Sequence, residues 1–350
     1  ALKAALENPE VTDVRVNFTA VNIITESDLN DDGYFITVKG KKNMRIGAYG
    51  HAVTNRIKVD CDTKDYGGII YVGSDAELNI SGDVSSSLVA QFVQQTNMAG
   101  TIFAQNSIIV VGSNGIVNMP SGVIGYDYTA LKESGKHGDF LYPVRVYDGT
   151  FNMTGGVLKA SVFGRAYGKT EQAGGVINIC KDSAKVTVDG GRLIINLGFD
   201  SSLGKPENEG YTYKQAVFFG KGILSSAGYD YEAGYKRANI ISGDFLQSTI
   251  GDAAKVPFLD DEEEYMKRLK TPLENNKADG ALFLITNGYN PKAYTHFMFQ
   301  VVDPLKSNME MVYDEEKDCK VINVDGNTAP ELYTLELDQY DIYSDIHTPE

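Results

Sequence analysis

Short runs of alternating apolar and polar residues fill most of the first 250 positions of the chain. Residues 11–16 (VTDVRV) alternate as a strand does, and residues 36–38, 57–59 and 78–80 are equally brief and β-rich. Gly, Asn, Asp or Ser separates most of these runs, which is typical of strands joined by tight turns. The pattern predicts an all-β protein built from many short strands.

A short helix is predicted ahead of the first strand. Residues 1–8 place Leu2, Ala5 and Leu6 on one helical face, and Asn8-Pro9 ends the helix because the residue before proline disfavours helical geometry.

One strand–corner–strand unit is repeated along the chain. Each copy reads apolar, polar, apolar, one or two small residues, Gly, and then a second strand. The copies lie at residues 76–82, 115–122, 149–158 and 184–193, with a looser one at 238–245. They are roughly 35 residues apart, and one such unit cannot bury its inner face unless other copies stack on it. The repeat therefore predicts a right-handed parallel β-helix, in which the ladders above and below satisfy each strand.

Asn79, Asn118 and Asn152 occupy equivalent positions of three copies, and Thr187 follows in the fourth. Equivalent residues of stacked strands lie about 4.8 Å apart, so these asparagines are candidates for a side-chain ladder. The alternative, which asparagine chemistry favours, is that each one hydrogen-bonds to its own corner.

The start of the chain resembles the capping segment of pectin-lyase-like β-helix proteins. The resemblance is carried by residues 2–16 (LKAALENPEVTDVRV) and by the Asx-Met/Ile-x-Gly-Gly-x-Leu style of the repeat, which is similar to bacterial adhesin coils. It implies a coil over residues 1–250 whose N-terminal end is plugged by the helix. Residues 251–350 have longer strands without Gly-Gly corners, which predicts a β-rich closure of the coil or a small appended domain.

Charge and composition narrow the class of protein. The formal net charge of −15 repels phosphate backbones, so nucleic acid is not expected as a partner. No apolar run of the sequence reaches the 18 residues that a transmembrane helix needs. The cysteines Cys61, Cys180 and Cys319 are far apart and odd in number, so they are expected to be buried thiols. Fold and composition together predict a secreted or cell-surface protein.

The sequence contains fragments of catalytic motifs. Gly50-His51 and Arg56-Ile57-Lys58 are similar to pieces of polygalacturonase-like hydrolases, but the pair of aspartates that acid–base hydrolysis needs is missing. Arg145, Arg165 and Lys169 are the candidates for the base of a polysaccharide lyase, although no acidic cluster accompanies them. His137 has no visible nucleophile or acid partner.

Two groups of residues are candidates for binding. Asp60, Asp62 and Asp65 could offer carboxylate oxygens to Ca²⁺, the one cofactor left open, although a solvated acidic turn explains them more simply. Tyrosines cluster between strands and could stack on a sugar or anchor a protein, or pack against the coil wall. They are Tyr126, Tyr128, Tyr229, Tyr231 and Tyr235.

Three functions remain open at this point. The first is an adhesin-like module that binds a polysaccharide or a surface protein. The second is a polysaccharide lyase or glycoside hydrolase acting on an acidic polysaccharide, which rests on analogy of fold. The third is a structural spacer. An aligned row of acids with a basic residue would favour the enzyme, and an aromatic platform would favour binding.

Overall fold

The structure is a computed structural model that describes most of the repeat region and parts of the remainder. The described residues are 1–47, 52–61, 67–83, 85–92, 107–126, 142–164, 176–199, 219–221, 236–250, 272–286, 296–303, 309–314, 319–324 and 327–333. The chain begins with helix α1 (Leu2–Glu7), as the sequence predicts, and nearly all other regular structure is β.

Successive rungs of the coil contribute strands in a fixed order. The first rungs contain β1 (Asp13–Val16), β2 (Asn22–Thr25), β3 (Tyr34–Thr37), β4 (Lys41–Ile46), β5 (Thr54–Asp60) and β6 (Gly68–Val72). The following rungs contain β7 (Glu77–Gly82), β8 (Ser87–Phe92), β9 (Ser107–Val111), β10 (Ile116–Met119), β11 (Val123–Tyr126) and β12 (Tyr142–Val146). The last rungs contain β13 (Thr150–Met153), β14 (Val157–Gly164), β15 (Ile177–Ile179), β16 (Lys185–Phe199), β17 (Phe219–Lys221) and β18 (Ala238–Ile250). A single 3-10 turn (Glu26–Asp28) separates β2 from β3.

Every third strand pairs in parallel with its counterpart one rung away, so the coil has three walls. The first sheet runs β1-β4-β7-β10-β13-β16, and the second runs β2-β5-β8-β11-β14-β16. These two walls are joined because β16 passes through the corner between them and pairs with both β13 and β14. The third sheet is separate and runs β3-β6-β9-β12-β15-β17. The predicted parallel β-coil with a short N-terminal helix is confirmed.

The chain continues with antiparallel strands after β18. Strands β19 (Leu282–Thr286) and β20 (His296–Val302) pair with each other, and β20 also pairs with β18. The strands β21 (Met309–Asp314), β22 (Cys319–Val324) and β23 (Asn327–Tyr333) form a 3-stranded antiparallel sheet of their own. The division of the chain near residue 250 stays a prediction.

The inside of the coil is filled by columns of aliphatic side chains in register. One column of the third sheet joins Ile70, Ile109, Val144 and Ile177, all fully buried. Because each neighbour in a column is also apolar, every rung adds to one continuous core.

Helix α1 closes the N-terminal end of this core. Leu6 is fully buried, its carbonyl accepts a hydrogen bond from the Lys39 amide at 3.0 Å, and the Glu7 carboxylate accepts one from the Thr37 amide at 3.1 Å. The fully buried Lys42 donates its ammonium protons to the carbonyls of Asn8 and Val11. The helix and the lysine thus satisfy backbone groups that an open first rung would leave unpaired.

Asparagines form a ladder along the outer side of the first sheet. Asn152 Nδ2 donates to Asn118 Oδ1 at 2.9 Å, and Asn118 Nδ2 donates to Asn79 Oδ1 at 2.8 Å. Asn79 Nδ2 donates to Asn43 Oδ1 at 3.2 Å, and Asn43 Nδ2 donates to Asp13 Oδ1 at 3.1 Å. The ladder for which Asn79, Asn118 and Asn152 were candidates therefore exists, and the favoured alternative, hydrogen bonding at the corners, is wrong. The ladder lies on strands rather than at corners, and it includes Asn43, which the repeat comparison missed.

The ladder has a direction, since every amide donates toward the N-terminus and accepts from the C-terminal side. A carboxylate at the accepting end suits this direction because it needs no proton to donate. The hydrogen bond from Thr12, followed by the one from Asn43, lowers the pKa of Asp13 below its usual value. Protonation of Asp13 at low pH would remove an acceptor from the end of the ladder.

Glycines with positive φ stack at the corner between the first and second sheets. Gly122, Gly156 and Gly191 have φ values of +96°, +80° and +82°, and their following residues are in register. A Cβ on Gly156 would lie 2.7 Å from the carbonyl oxygen of Gly122. This corner requires glycine both for its backbone conformation and for the close approach of the next rung.

Gly156→Ala tests the close approach, and Gly280→Ala is its matched control. Gly280 has nearly the same φ, +83°, but nothing lies within 4 Å of an added Cβ. Both substitutions incur the left-handed backbone cost of about 1–2 kcal/mol. We expect Gly156→Ala to lower the free energy of unfolding by about 2 kcal/mol more than the control, because of the clash. If both variants lose the same free energy of unfolding in urea titrations, neighbouring rungs shift to make room for the added Cβ, and the expected clash is absent.

Asn118→Asp tests the ladder. The carboxylate cannot donate to Asn79 Oδ1, and it faces that oxygen with a negative charge. We expect the free energy of unfolding to fall by about 1–2 kcal/mol. Thr150→Ala, a partly buried outward position on the neighbouring strand, is the control. The ladder has no role in stability if both variants unfold at the same urea concentration.

Candidate functional site

The outer side of the third sheet carries a row of side chains unlike the other walls. Tyr71, Val110, Arg145 and Asn178 are in register on β6, β9, β12 and β15. They alternate with the inward aliphatic residues of the same strands, so they belong to the opposite side of the sheet. We call these four residues the third-sheet row.

A pair of stacked tyrosines stands at the N-terminal end of the row. The ring centroids of Tyr34 and Tyr71 are 4.4 Å apart with an interplanar angle of 22°, and both residues are half-buried. A Cβ on Gly73 would lie 2.5 Å from the Tyr71 hydroxyl, and one on Gly67 would lie 2.8 Å from the Tyr34 ring. Glycine at these positions therefore provides the space that the two rings occupy.

Burial raises the pKa of both phenols. For Tyr34 the positive charge of Arg145 opposes this effect, which places the guanidinium within electrostatic reach of the stack. For Tyr71 the charge of Asp32 adds to the effect of burial. Both phenols are therefore neutral hydrogen-bonding groups at neutral pH.

Arg145 lies below the surface, with 8% of its area exposed. Its Nε donates to the Cys180 sulfur at 3.2 Å, and its Cζ lies 5.6 Å from the centroid of the Tyr147 ring. Among the described residues it has no carboxylate partner, although a buried cation ordinarily needs one.

Asn178 is fully buried beside Arg145. Its Oδ1 lies 3.5 Å from the Cys180 sulfur, which donates to it, while its Nδ2 has no hydrogen-bond partner in the part of the chain that the structure describes. A buried amide donor without an acceptor costs about 1–3 kcal/mol. The row thus contains a cation and an amide donor that both lack an acceptor of matching charge or polarity.

Tyr142, three residues before Arg145 on β12, is almost completely buried. Burial, reinforced by Cys180, raises the pKa of its phenol, and the charge of Arg145 opposes the change. The charges of Arg145 and Cys180 therefore act on this phenol.

The rim beyond Tyr147 is polar and charged. Lys181 Nζ lies 4.6 Å from the centroid of the Tyr147 ring and 3.5 Å from the Asp148 carboxylate. Hydrogen bonds from Ser183 and then Ser113 lower the pKa of Asp148, so this carboxylate is ionised at neutral pH. The rim can therefore contact water or a polar ligand beside the half-buried Tyr147 ring.

Only one of the sequence-predicted catalytic candidates joins this group. Arg145 lies in the row, while Arg165, Lys169, His137 and Gly50-His51 lie outside the described residues. Arg56, Ile57 and Lys58 form part of β5, with Ile57 buried, so they are an ordinary strand.

The binding candidates are largely untested. Tyr128, Tyr229, Tyr231 and Tyr235 lie outside the described residues, and of Tyr126 only the backbone, at the end of β11, is described. Asp60 ends β5, and Asp62 and Asp65 are outside the described part. Within the described ranges, no group of three or more Asp, Glu, His or Cys residues could hold a metal ion.

The cysteines do not all behave as expected. Cys61 is 3% exposed and packs in the core, but Cys180 is only partly buried and contacts Arg145 and Asn178. The prediction of a buried apolar thiol is therefore wrong for Cys180. Cys319 lies in β22, and its side chain is not among those described.

Sequence reasoning missed Tyr34, Tyr71, Tyr147, Asn178 and Cys180. The repeat was recognised on strands that belong to the first sheet. A similar spacing applied to the strands of the third sheet would have aligned Tyr71 with Arg145 and Asn178. Long segments of varying length separate those strands, which hides the register.

No known protein family, curated protein or solved structure matches the chain in sequence or structure comparisons. Among the helices of the described segments, none is both long and apolar enough to cross a bilayer.

The two fully buried asparagines provide a matched test of the site. Asn55 Oδ1 accepts from the Phe18 amide at 2.6 Å, and its Nδ2 donates to the Ser87 carbonyl at 3.1 Å. Asn55→Leu leaves both backbone groups unpaired, so we expect a loss of about 2–4 kcal/mol in the free energy of unfolding. Asn178→Leu removes an unpartnered donor, and we expect it to be neutral or stabilising. A loss for Asn178→Leu as large as for Asn55→Leu in urea titrations would contradict this assignment.

Proposed function

We propose that the protein is a secreted or cell-surface β-solenoid module of a bacterium that binds a carbohydrate chain, in the manner of an adhesin. The observation that carries the proposal is the third-sheet row with its stacked Tyr34 and Tyr71 and the nearby Tyr147. Tyrosine offers an apolar ring and a hydroxyl together, which suits the mixed surface of a sugar. A wall that repeats every 4.8 Å or so suits an extended polymer lying along several rungs.

The charges of the row support binding to a ligand rich in acceptors. Arg145 is a nearly buried cation without a carboxylate partner among the described residues, and Lys181 adds a cation at the rim. Hydroxyl and carboxylate oxygens are acceptors for both groups. A protein surface offering carbonyls and carboxylates is the alternative partner, and the stacked rings favour the sugar.

Membership of the pectin-lyase-like superfamily is part of the proposal. It is supported by the helix that closes the coil and by the parallel walls, both of which the resemblance implies. A shared fold does not carry an activity with it.

The enzyme remains the second candidate function. Glycoside hydrolysis needs two carboxyl groups facing one bond, and the described part of the row contains none. A guanidinium keeps its proton in proteins, so Arg145 is better suited to hold an oxygen ligand than to abstract a proton. A spacer is favoured less, because a spacer has no need of a nearly buried cation and an unpartnered amide, which reduce stability.

The test is binding of the purified chain to a panel of plant, host and bacterial polysaccharides. We expect one polymer to bind, and Tyr34→Ala with Tyr71→Ala to weaken that binding about tenfold or more, as loss of aromatic anchors does. The control is Ile116→Ala, which truncates a side chain that is 38% exposed on the outer side of the first sheet.

Two results would contradict the proposal. Binding that is unchanged in the double tyrosine variant would place the ligand elsewhere on the coil. Release of unsaturated uronates or of reducing ends, with or without Ca²⁺, would make the protein an enzyme. Thermal melting of each variant separates loss of binding from loss of fold.

A further inference from the structure

Cys180 occupies a different environment from the other described thiol. It follows β15 at the corner between the third and first sheets, and its amide donates to the Val146 carbonyl at 2.9 Å. Its side chain is partly exposed, whereas Cys61 is 3% exposed and donates to the Ile24 carbonyl at 3.6 Å. Burial raises the pKa of Cys61 to about 12, so that thiol is inert in the folded protein.

One donor and one acceptor contact the Cys180 sulfur. Arg145 Nε donates to the sulfur at 3.2 Å, and the sulfur donates to Oδ1 of Asn178, which is in register with Arg145. The Nδ2 of Asn178 is fully buried without a partner in the described chain. These features go beyond a lone cysteine, because a nearly buried cation without a carboxylate partner among the described residues donates to the sulfur, and the buried amide nitrogen of Asn178 has no acceptor in the described chain.

The charge around the sulfur is positive on balance at short range. Arg145 contacts the sulfur directly, and Lys181 is the next residue along the chain. Lys181 pairs with Asp148 at 3.5 Å and Arg237 pairs with Asp182 at 3.1 Å, which leaves Arg145 as the charge at the sulfur that has no carboxylate partner among the described residues. An anionic reagent is therefore favoured over a cationic one at Cys180.

We propose that Cys180 is a thiol-modification site that forms mixed disulfides with small anionic disulfides, such as glutathione disulfide. The Arg145 guanidinium, which contacts the sulfur, holds the negative charge of the reagent next to it. This inference is independent of carbohydrate binding.

The reaction is thiol–disulfide exchange, in which atoms and electrons balance without a further oxidant. The Cys180 thiol gives its proton to water, and its sulfur attacks one sulfur of the reagent. A new S–S bond forms, the S–S bond of the reagent breaks, and its second sulfur leaves as a thiolate with the electron pair. The cation that stabilises the attacking sulfur also stabilises this departing anion.

The experiment measures exchange on the native full chain with two probes of opposite charge. One is the dianionic dithiobis(nitrobenzoic acid), and the other is the dicationic cystamine. Each rate is divided by the rate of the same probe with a short cysteine peptide, and peptide mass mapping assigns the modified residue. We expect Cys180 to react at least about tenfold faster than Cys61, and the normalised anionic rate to exceed the cationic rate about tenfold at low salt.

Three variants complete the test. Cys180→Ser should remove the fast phase. Arg145→Met keeps an apolar stem and should bring the anionic-to-cationic ratio close to one, while Arg145→Lys should restore part of it. Protection of Cys61 in each variant reports that the coil is still folded.

The proposal is overturned by any of three outcomes. The fast phase could map to Cys61 or Cys319, the two probes could react equally with the native chain, or the folded Arg145→Met variant could keep the charge preference. If Arg145→Met exposes Cys61 and is therefore unfolded, the decision rests on the native chain. There, a preference for the anionic probe that disappears at 1 M salt supports the proposal, and its absence refutes it.

Discussion

The parallel register between consecutive rungs is the constraint on which every other feature of this protein depends. Each residue of a rung lies about one strand spacing from its equivalents above and below, so a side chain must be compatible with a near copy of itself. Aliphatic residues meet this requirement inside the coil, where Ile70, Ile109 and Val144 form one buried column. Gly156 meets it at a corner, where the carbonyl of Gly122 leaves no room for a Cβ.

Polar columns meet the same constraint in two different ways. On the first sheet, amides are well suited to stacking, because each one donates to one neighbour and accepts from the other. The ladder from Asn152 to Asp13 is in this sense complete. On the third sheet, the neighbouring positions hold Val110, Arg145 and Asn178, which cannot satisfy one another in this way. The first sheet uses its polar residues to fix the stack, whereas on the third sheet the buried amide nitrogen of Asn178 has no acceptor among the described residues.

The sequence was sufficient to predict the features that repeat. The strand–corner–strand unit predicted the parallel coil, the alignment of Asn79 with Asn118 and Asn152 predicted a ladder, and the pattern of residues 1–8 predicted the cap. Side-chain chemistry favoured corner bonding for these asparagines, and that expectation was wrong because the register places them in mid-strand. Register is a tertiary property that local propensities do not contain.

The candidate site was hidden for the same physical reason. Arg145 was singled out as an isolated base, since its neighbours in space are separated from it by a whole rung of sequence. Tyr71, Asn178 and Cys180 carry no motif, and they become a group only when the strands of the third sheet are aligned. Of the tyrosines that did attract notice, Tyr126 ends β11, and the others lie outside the described residues.

Among the described residues Arg145 has no carboxylate partner, which is informative because the chain is rich in acids. It contains 47 Asp and Glu residues against 32 Lys and Arg residues, so partners for a cation are abundant. Other cations of the coil have carboxylate partners. Arg45 pairs with Asp83 at 3.2 Å, and Arg192 pairs with Asp244 at 3.1 Å. Arg145, the most deeply buried cation described on the third sheet, instead donates to the Cys180 thiol. The fully buried Lys42 also has no paired anion, but two backbone carbonyls satisfy its ammonium group, whereas the described hydrogen bond of Arg145 goes to a thiol, a weak acceptor. A buried cation held so weakly reduces stability, and proteins retain such arrangements chiefly where a site must bind or react. The same cost that makes Arg145 and Asn178 poor structural residues is therefore the physical argument for a function at this wall.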